Sequence, residues 1–232
     1  MYHLESFVRA RRSSTAQAAA LNSGRSAARG SRLEIETVAV HLCALEPVLH
    51  DAWARAFADC PSVQSHHANI FERHASALVS PANSFGYMDG GLDLKISEEL
   101  GWHVERRVRA EVHANFHGEL PVGEAVIVET GDARFPYLIS APTMRVPMDV
   151  STTVNAHLAF RAVLRAVEVH NRSERPAIAS IACPGLGTGE GRMPPRRCAA
   201  QMRYAYEVVA RGASDMKGGL AAAVRNHMAL LE

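Results

Sequence analysis

No run of about 18 apolar residues occurs anywhere in the chain, so no membrane-spanning helix is expected. Charge of one sign is missing too. Twenty-five basic residues against 24 acidic ones leave a formal net charge of +1, without the electrostatic footprint of a nucleic-acid binder. Cysteine is scarce: Cys43, Cys60, Cys183 and Cys198, none in a C-x-x-C pair. That excludes a disulfide framework and reads as reduced thiols in a cytoplasmic protein. The 12 histidines include no H-E-x-x-H pair. His66-His67 and His74 flank an expected strand, and solvated or core histidines are a better reading than a metal site. The chain also lacks an apolar signal-peptide core. Residues 1–32 hold six arginines, one acid (Glu5) and no lysine. Transit peptides, disordered basic leaders and misplaced start codons share this composition, and residues 1–34 are set outside the fold.

About half of the 232 residues are apolar, enough for one α/β core. Strands are expected at Thr37–Cys43, Val63–Phe71, Ala77–Pro81, Val122–Thr130, Tyr137–Ala141 and Ala177–Cys183. Helical spacing marks Glu46–Ala58, with Val48, Trp53 and Phe57 as anchors, then Asp93–Leu100 and Trp102–Phe116. A long helix should run to His170, capped by Ser151-Thr152-Thr153, with Ala156, Phe160, Val163 and Val167 on its buried face. Pro194 should open a helix that buries Ala199, Met202, Tyr206 and Val209 and ends at Gly212, with a last helical stretch at Leu220–Leu231. Strands alternating with helices imply a three-layer α/β/α sandwich with a mixed central sheet. The core domain is placed at residues 35–211, with 212–232 as a helical extension, either an extra cap or a dimer contact. Oligomeric state is left open.

Two segments carry chemistry. In the first, an apolar strand ends at Ser80-Pro81-Ala82-Asn83, and ten residues after Asn83 the pair Gly90-Gly91 hands over to Asp93 at a helix start. The second runs Ser180-Ile181-Ala182-Cys183-Pro184 into Gly185-Leu186-Gly187-Thr188-Gly189-Glu190-Gly191. Glycines let bare backbone N–H groups approach an anion, and each helix N-terminus adds its positive end. Two such units suit a cleft that grips two phosphates. A dinucleotide oxidoreductase fits poorly, because Gly185-Leu186-Gly187-Thr188-Gly189 lacks the G-x-G-x-x-G spacing. Cys183 ends an apolar strand with no histidine near it in sequence, and reads as packing rather than as a nucleophile.

These blocks resemble the macro domain, a family with G-D-I, then V-N-A-A-N, a glycine run and V-D. Here the matching residues are Ala68-Asn69-Ile70, Val79-Ser80-Pro81-Ala82-Asn83 and Gly90-Gly91-Leu92-Asp93. The family's S-I-A-F-P-A-L-S-T-G matches Ser180 to Gly189, and Gly123-Glu124-Ala125 and Ile139-Ser140-Ala141-Pro142 fall where the family has G-E-A and H-x-V-x-P. The resemblance covers residues 60–211. It implies ADP-ribose or an ADP-ribosylated substrate as ligand and no cofactor. It also implies a cleft at the carboxyl ends of the central strands. Ligand contacts are implied at Asn69, Ile70, Ala82, Gly90 and Gly91, and along the second loop at Gly185, Leu186, Gly187, Thr188, Gly189, Glu190 and Gly191.

Asn69 stands where the family has an adenine-reading aspartate; the competing reading is a turn cap. For catalysis the resemblance points to Asn83 and Asp93, the first binding a ribose hydroxyl and the second orienting or activating water. A structural Asp93, held by the helix dipole, is the alternative. Ser80, Pro81, Asp89 and Ser97 depart from the family pattern. Asp89 replaces a glycine, and is either an exposed turn residue or a second acid/base paired with Asp93. Two functions therefore compete, an ADP-ribosyl hydrolase and a non-catalytic reader of ADP-ribose.

Overall fold

The computed structural model describes residues 35–173, 176–213 and 218–232; the expected leader, 1–34, lies outside them. Strands are β1 (Ala39–Ala44), β2 (Val63–His67), β3 (Ala77–Ser80), β4 (Val126–Glu129), β5 (Tyr137–Ser140) and β6 (Ser180–Cys183). Helices are α1 (Pro47–Ala56), α2 (Gly91–Leu100), α3 (His103–Phe116), α4 (Asn155–Asn171), α5 (Pro195–Val209) and α6 (Gly219–Ala229). The sheet order is β2-β1-β6-β3-β5-β4. All neighbours are parallel except β4, which runs antiparallel to β5 at the edge. Each central strand is buried on both faces, which explains its continuous apolar sequence.

Side-chain alternation divides the interior into two cores. Val40, Val79, Ile139 and Ile181 face a core with Trp53, Phe160 and Met202 from α1, α4 and α5. Leu78, Leu138 and Ala182 face the other, with Ile96 from α2 and Val104 and Val108 from α3. The sandwich is α/β/α with a mixed sheet, as expected. Among the described residues no helix is long and apolar enough to cross a membrane.

Three local expectations are corrected. Val48 is not an anchor of α1; it is 61 % exposed, and Leu49 is buried in its place. Leu49, Trp53 and Phe57 follow a spacing of four and four, which keeps all three on one helix face. Ser151 and Thr152 do not cap α4. The helix begins at Asn155, and its first N–H donates to Thr153 Oγ1 (3.2 Å). Strands are shorter than their apolar runs: β2 ends at His67 because residues 70–72 form a 3₁₀ turn, and β4 begins at Val126. The expected buried face of α4 (Ala156, Phe160, Val163 and Val167) is fully buried. In the extension, Leu230 returns to the body, and its carbonyl accepts from the buried amide of Gln201 (2.9 Å).

Candidate functional site

Where β1, β2, β3, β5 and β6 end, their following loops surround a cleft of about 660 Å³. β1 contributes Leu45 and Glu46, β2 Ala68 and Asn69, β3 Pro81 to Asn83, β5 Thr143 and Met144, and β6 the second glycine loop. Open α/β sheets place ligands at this carboxyl edge. Of the sequence-predicted site residues, every one lines the cleft except Leu186. Leu186 points the other way, fully buried in the core beneath the loop.

Asp93 sits in the first turn of α2, whose N-cap is Gly90. It is only 7 % exposed. Ser80, fully buried at the end of β3, donates its hydroxyl to Asp93 Oδ1 at 2.7 Å. Oδ2 takes no hydrogen bond from the described residues. Burial pushes the carboxyl up to about 7, while the Ser80 hydrogen bond pulls the other way. Asp93 is therefore a cleft-lining carboxyl that changes charge near neutral pH. Ser80, a departure from the family pattern, is the residue that orients it. Ser97, a second departure, is buried and donates to the Met88 carbonyl (2.9 Å), which ties α2 to the preceding loop.

Asn83 shapes its own loop. Its Oδ1 accepts from the N–H groups of Phe85 (3.0 Å) and Tyr87 (3.3 Å), and its Nδ2 donates to the Tyr87 carbonyl (2.7 Å). A carboxamide nitrogen carries two hydrogens, so one N–H is left for a ligand. Asp89 is exposed on the cleft rim and makes no hydrogen bond or ion pair with the described residues. It is the exposed-turn alternative of the two readings, and Asp93 owes its raised pKa to burial rather than to a paired Asp89. Asn69 uses Oδ1 to accept the Phe71 N–H at 3.1 Å, capping the 3₁₀ turn while lining the cleft.

Backbone geometry explains two of the glycines. Gly91, the first residue of α2, has φ +56°, a left-handed conformation that side chains disfavour. Gly191 lies so close to its surroundings that an added Cβ would meet the Gly187 carbonyl oxygen and Val150 Cγ2, both at 2.6 Å. The second loop is folded back on itself there, with the Gly191 carbonyl accepting from Val150 (2.9 Å) and that of Gly187 from Met193 (2.9 Å).

Sequence reasoning missed Glu46 and Lys95 as lining residues. Lys95 had a usable signal: it is four residues after Gly91, on the same face of the helix that follows the first glycine pair. Glu46 had none, because its place depends on β1 lying beside β6. Elsewhere, Asp59, Cys60 and Glu207 bring possible metal-ligating atoms within 4.8 Å of one another. Arg203 and Arg211 already occupy that cluster: Arg203 Nη2 donates to Asp59 Oδ2 (2.9 Å) and Arg211 Nη1 to Glu207 Oε1 (3.1 Å). His66 Nε2 lies 3.2 Å from His41 Nδ1, and His67 Nε2 is bonded to the Leu45 carbonyl. All four cysteines are buried and free, and burial raises the Cys183 thiol well above its ordinary range.

The family model for the macro domain matches residues 79–202. An uncharacterised protein of Aquifex aeolicus is 33 % identical over 134 residues, covering 58 % of this chain and 74 % of that one. An uncharacterised protein of Aeropyrum pernix is 31 % identical over 135 residues, covering 58 % and 65 %. Among solved structures, the macrodomain of Mycobacterium tuberculosis DarG superposes with a TM-score of 0.50 at 23 % identity, covering 60 % of this chain and 86 % of that one. A point mutant of the Oceanobacillus iheyensis macrodomain gives 0.50 at 19 % identity, covering 68 % and 90 %. The structural likenesses speak for the fold.

Proposed function

The chain belongs to the macro domain family, which is known for binding ADP-ribose, and on that premise we propose that its cleft binds ADP-ribose and hydrolyses an ADP-ribosyl bond with Asp93 as the general base. The observation that carries the proposal is the Asp93 carboxyl itself. It is buried at the cleft wall, fixed by Ser80 through one oxygen, and raised to about 7. A base whose pKa lies near the working pH combines adequate basicity with a useful ionised fraction.

The diphosphate lies along the two glycine loops, where backbone N–H groups and the α2 N-terminus favour an anion. Lys95 supplies a cation to the same cleft. The remaining N–H of Asn83 donates to a ribose hydroxyl and holds the anomeric carbon in place. Water attacks that carbon and passes a proton to Asp93 Oδ2. The bond to the attached group breaks with its electron pair, and the leaving atom takes up the proton that Asp93 gained, passed on through solvent water, which resets the carboxylate. A neighbouring positive charge would hold Asp93 ionised. Its apolar surroundings keep it a stronger base than an exposed aspartate.

A reader without turnover is supported by a different observation. The Asn83 oxygen is consumed by two backbone amides, which leaves one donor for the ligand. Calorimetric titration with ADP-ribose, and with AMP and NAD for comparison, tests the shared part of both readings; binding in the micromolar range (about −8 kcal/mol) and selective for ADP-ribose is expected. Release of ADP-ribose from an ADP-ribosylated protein by the wild type, with Asp93→Ala still binding but inactive, is the expected outcome for the hydrolase. Binding without turnover by the wild type would select the reader.

A further inference from the structure

A second hollow of about 360 Å³ adjoins the cleft, lined by Asn83, Phe85, Tyr87, Asp89, Val146 and Pro147. Four of these, Asn83, Tyr87, Asp89 and Pro147, also line the main cleft, so the two spaces are continuous. They meet beside Asn83, where the reading above puts the scissile bond. Whatever is joined to the ribose must leave through such a neighbouring space.

The hollow has a definite chemistry. Its walls are two aromatic rings, a valine and a proline. Tyr87 and Val146 are large apolar side chains left 46 % and 42 % exposed. Apolar side chains continuous with the cleft suit contact with the apolar stem of a bound group. Asp89 is the single acidic or basic residue of the lining, and it has no partner among the described residues. Each ring already has one arginine of the chain over it, and both arginines are engaged. Arg109 lies 4.3 Å from the Tyr87 ring centroid and pairs with Glu105, while Arg145 lies 5.1 Å from that of Phe85 and makes a two-point bond to Glu119 (2.6 and 3.0 Å). Their charges are locally balanced. The charge left over is the Asp89 carboxylate.

We propose that this hollow is the subsite for the group to which ADP-ribose is attached, and that it takes an arginine side chain of a modified peptide. A guanidinium matches Asp89, and it stacks on aromatic faces more readily than an ammonium does. The methylene stem covers Val146 and Pro147. A glutamate-linked substrate brings neither the cation nor its stacking, and its freed carboxylate is repelled by Asp89. This assignment rests on the reading of the main cleft as an ADP-ribose site.

The test is a set of Kd values on the Asp93→Ala variant, which is expected to bind without turnover, obtained by competition against a fluorescent ADP-ribose, for free ADP-ribose and for short peptides ADP-ribosylated on arginine, glutamate or serine. An ADP-ribosylated oligonucleotide completes the set. Peptide integrity is checked by mass spectrometry. The arginine-linked peptide should bind about three- to tenfold tighter than free ADP-ribose, the scale of one exposed charge pair plus a cation–π contact. Val146→Lys puts a cation into the hollow at an exposed position that lines only this space. It should abolish that gain and leave the affinity for free ADP-ribose unchanged. Equal affinity of the arginine, glutamate and serine peptides, or tighter binding of the oligonucleotide, overturns the assignment. So does a gain that survives Val146→Lys. If free ADP-ribose itself fails to bind, the reading of the main cleft falls first, and the subsite falls with it.

Discussion

Replacing Asp93 by asparagine should stabilise the protein, and by an amount that depends on pH. The carboxyl is buried, with a pKa of about 7 against an ordinary 3.8. The native state therefore keeps a proton that the unfolded chain releases between about pH 4 and pH 7. Asp93 favours folding most below the ordinary pKa. That contribution is lost as pH rises through 7, where a charge must be held in an apolar site. Three units at about 1.4 kcal/mol each set the full swing at about 4 kcal/mol. The asparagine side chain has nearly the same volume, stays neutral, and can still accept from Ser80. At pH 8 the Asp93→Asn variant should be about 2–4 kcal/mol more stable than wild type, or about 5–15 °C in Tm for a chain of this size. At pH 4 the difference should shrink toward zero. Urea unfolding at pH 4, 6 and 8 measures it, provided the slope m is unchanged between the two proteins. Taking the difference between variant and wild type cancels every other titrating group. Equal stability of both proteins at pH 8, with equal m, would refute the reasoning, because the charge would then be costing nothing where it sits.

Ser80→Ala removes the hydrogen bond that lowers the Asp93 pKa. The acid limb of kcat/KM against pH should move up by about one unit, the scale of one hydrogen bond to a charged group; a limb that stays in place would exclude Asp93 as the titrating base. The two glycine loops differ in what they predict for stability. An alanine Cβ at Gly90 meets nothing within 4 Å, so Gly90→Ala should keep the wild-type Tm while weakening ADP-ribose binding in the titration. At Gly191 the same Cβ meets a carbonyl oxygen at 2.6 Å, and Gly191→Ala should lose about 1–3 kcal/mol of stability in urea unfolding as well as affinity. Equal behaviour of the two variants would count against the loop geometry described above.

Much of the molecule was legible along the chain because short-range rules govern it. The apolar run at 77–80 ending in a polar turn, the glycines before α2, and the spacing of Ala156, Phe160, Val163 and Val167 each follow from backbone freedom or from a period of 3.6. Where two local signals competed, the chain alone was ambiguous. Val48 and Leu49 differ by one position, and only the position of α1 against α5 and the sheet selects Leu49. Ser151, Thr152 and Thr153 are all capping types, and only Thr153 meets the helix N-terminus.

The components of the site were readable along the chain: two glycine loops, an asparagine ending a strand, and an aspartate opening a helix, at the spacings of the family. Tertiary structure alone decided their states. Asp93 is in sequence a helix-opening acid like any other. Its burial, its bond to Ser80 thirteen residues away, and hence its raised pKa come from α2 packing across the end of β3. Asp89, four residues earlier, is left in solvent beside a second hollow assembled with residues 146 and 147. Spacing along a chain sets which backbone shapes are accessible. Desolvation and charge pairing depend on what lies within a few ångströms in space, and for these carboxylates those neighbours include residues that only the packed fold brings near.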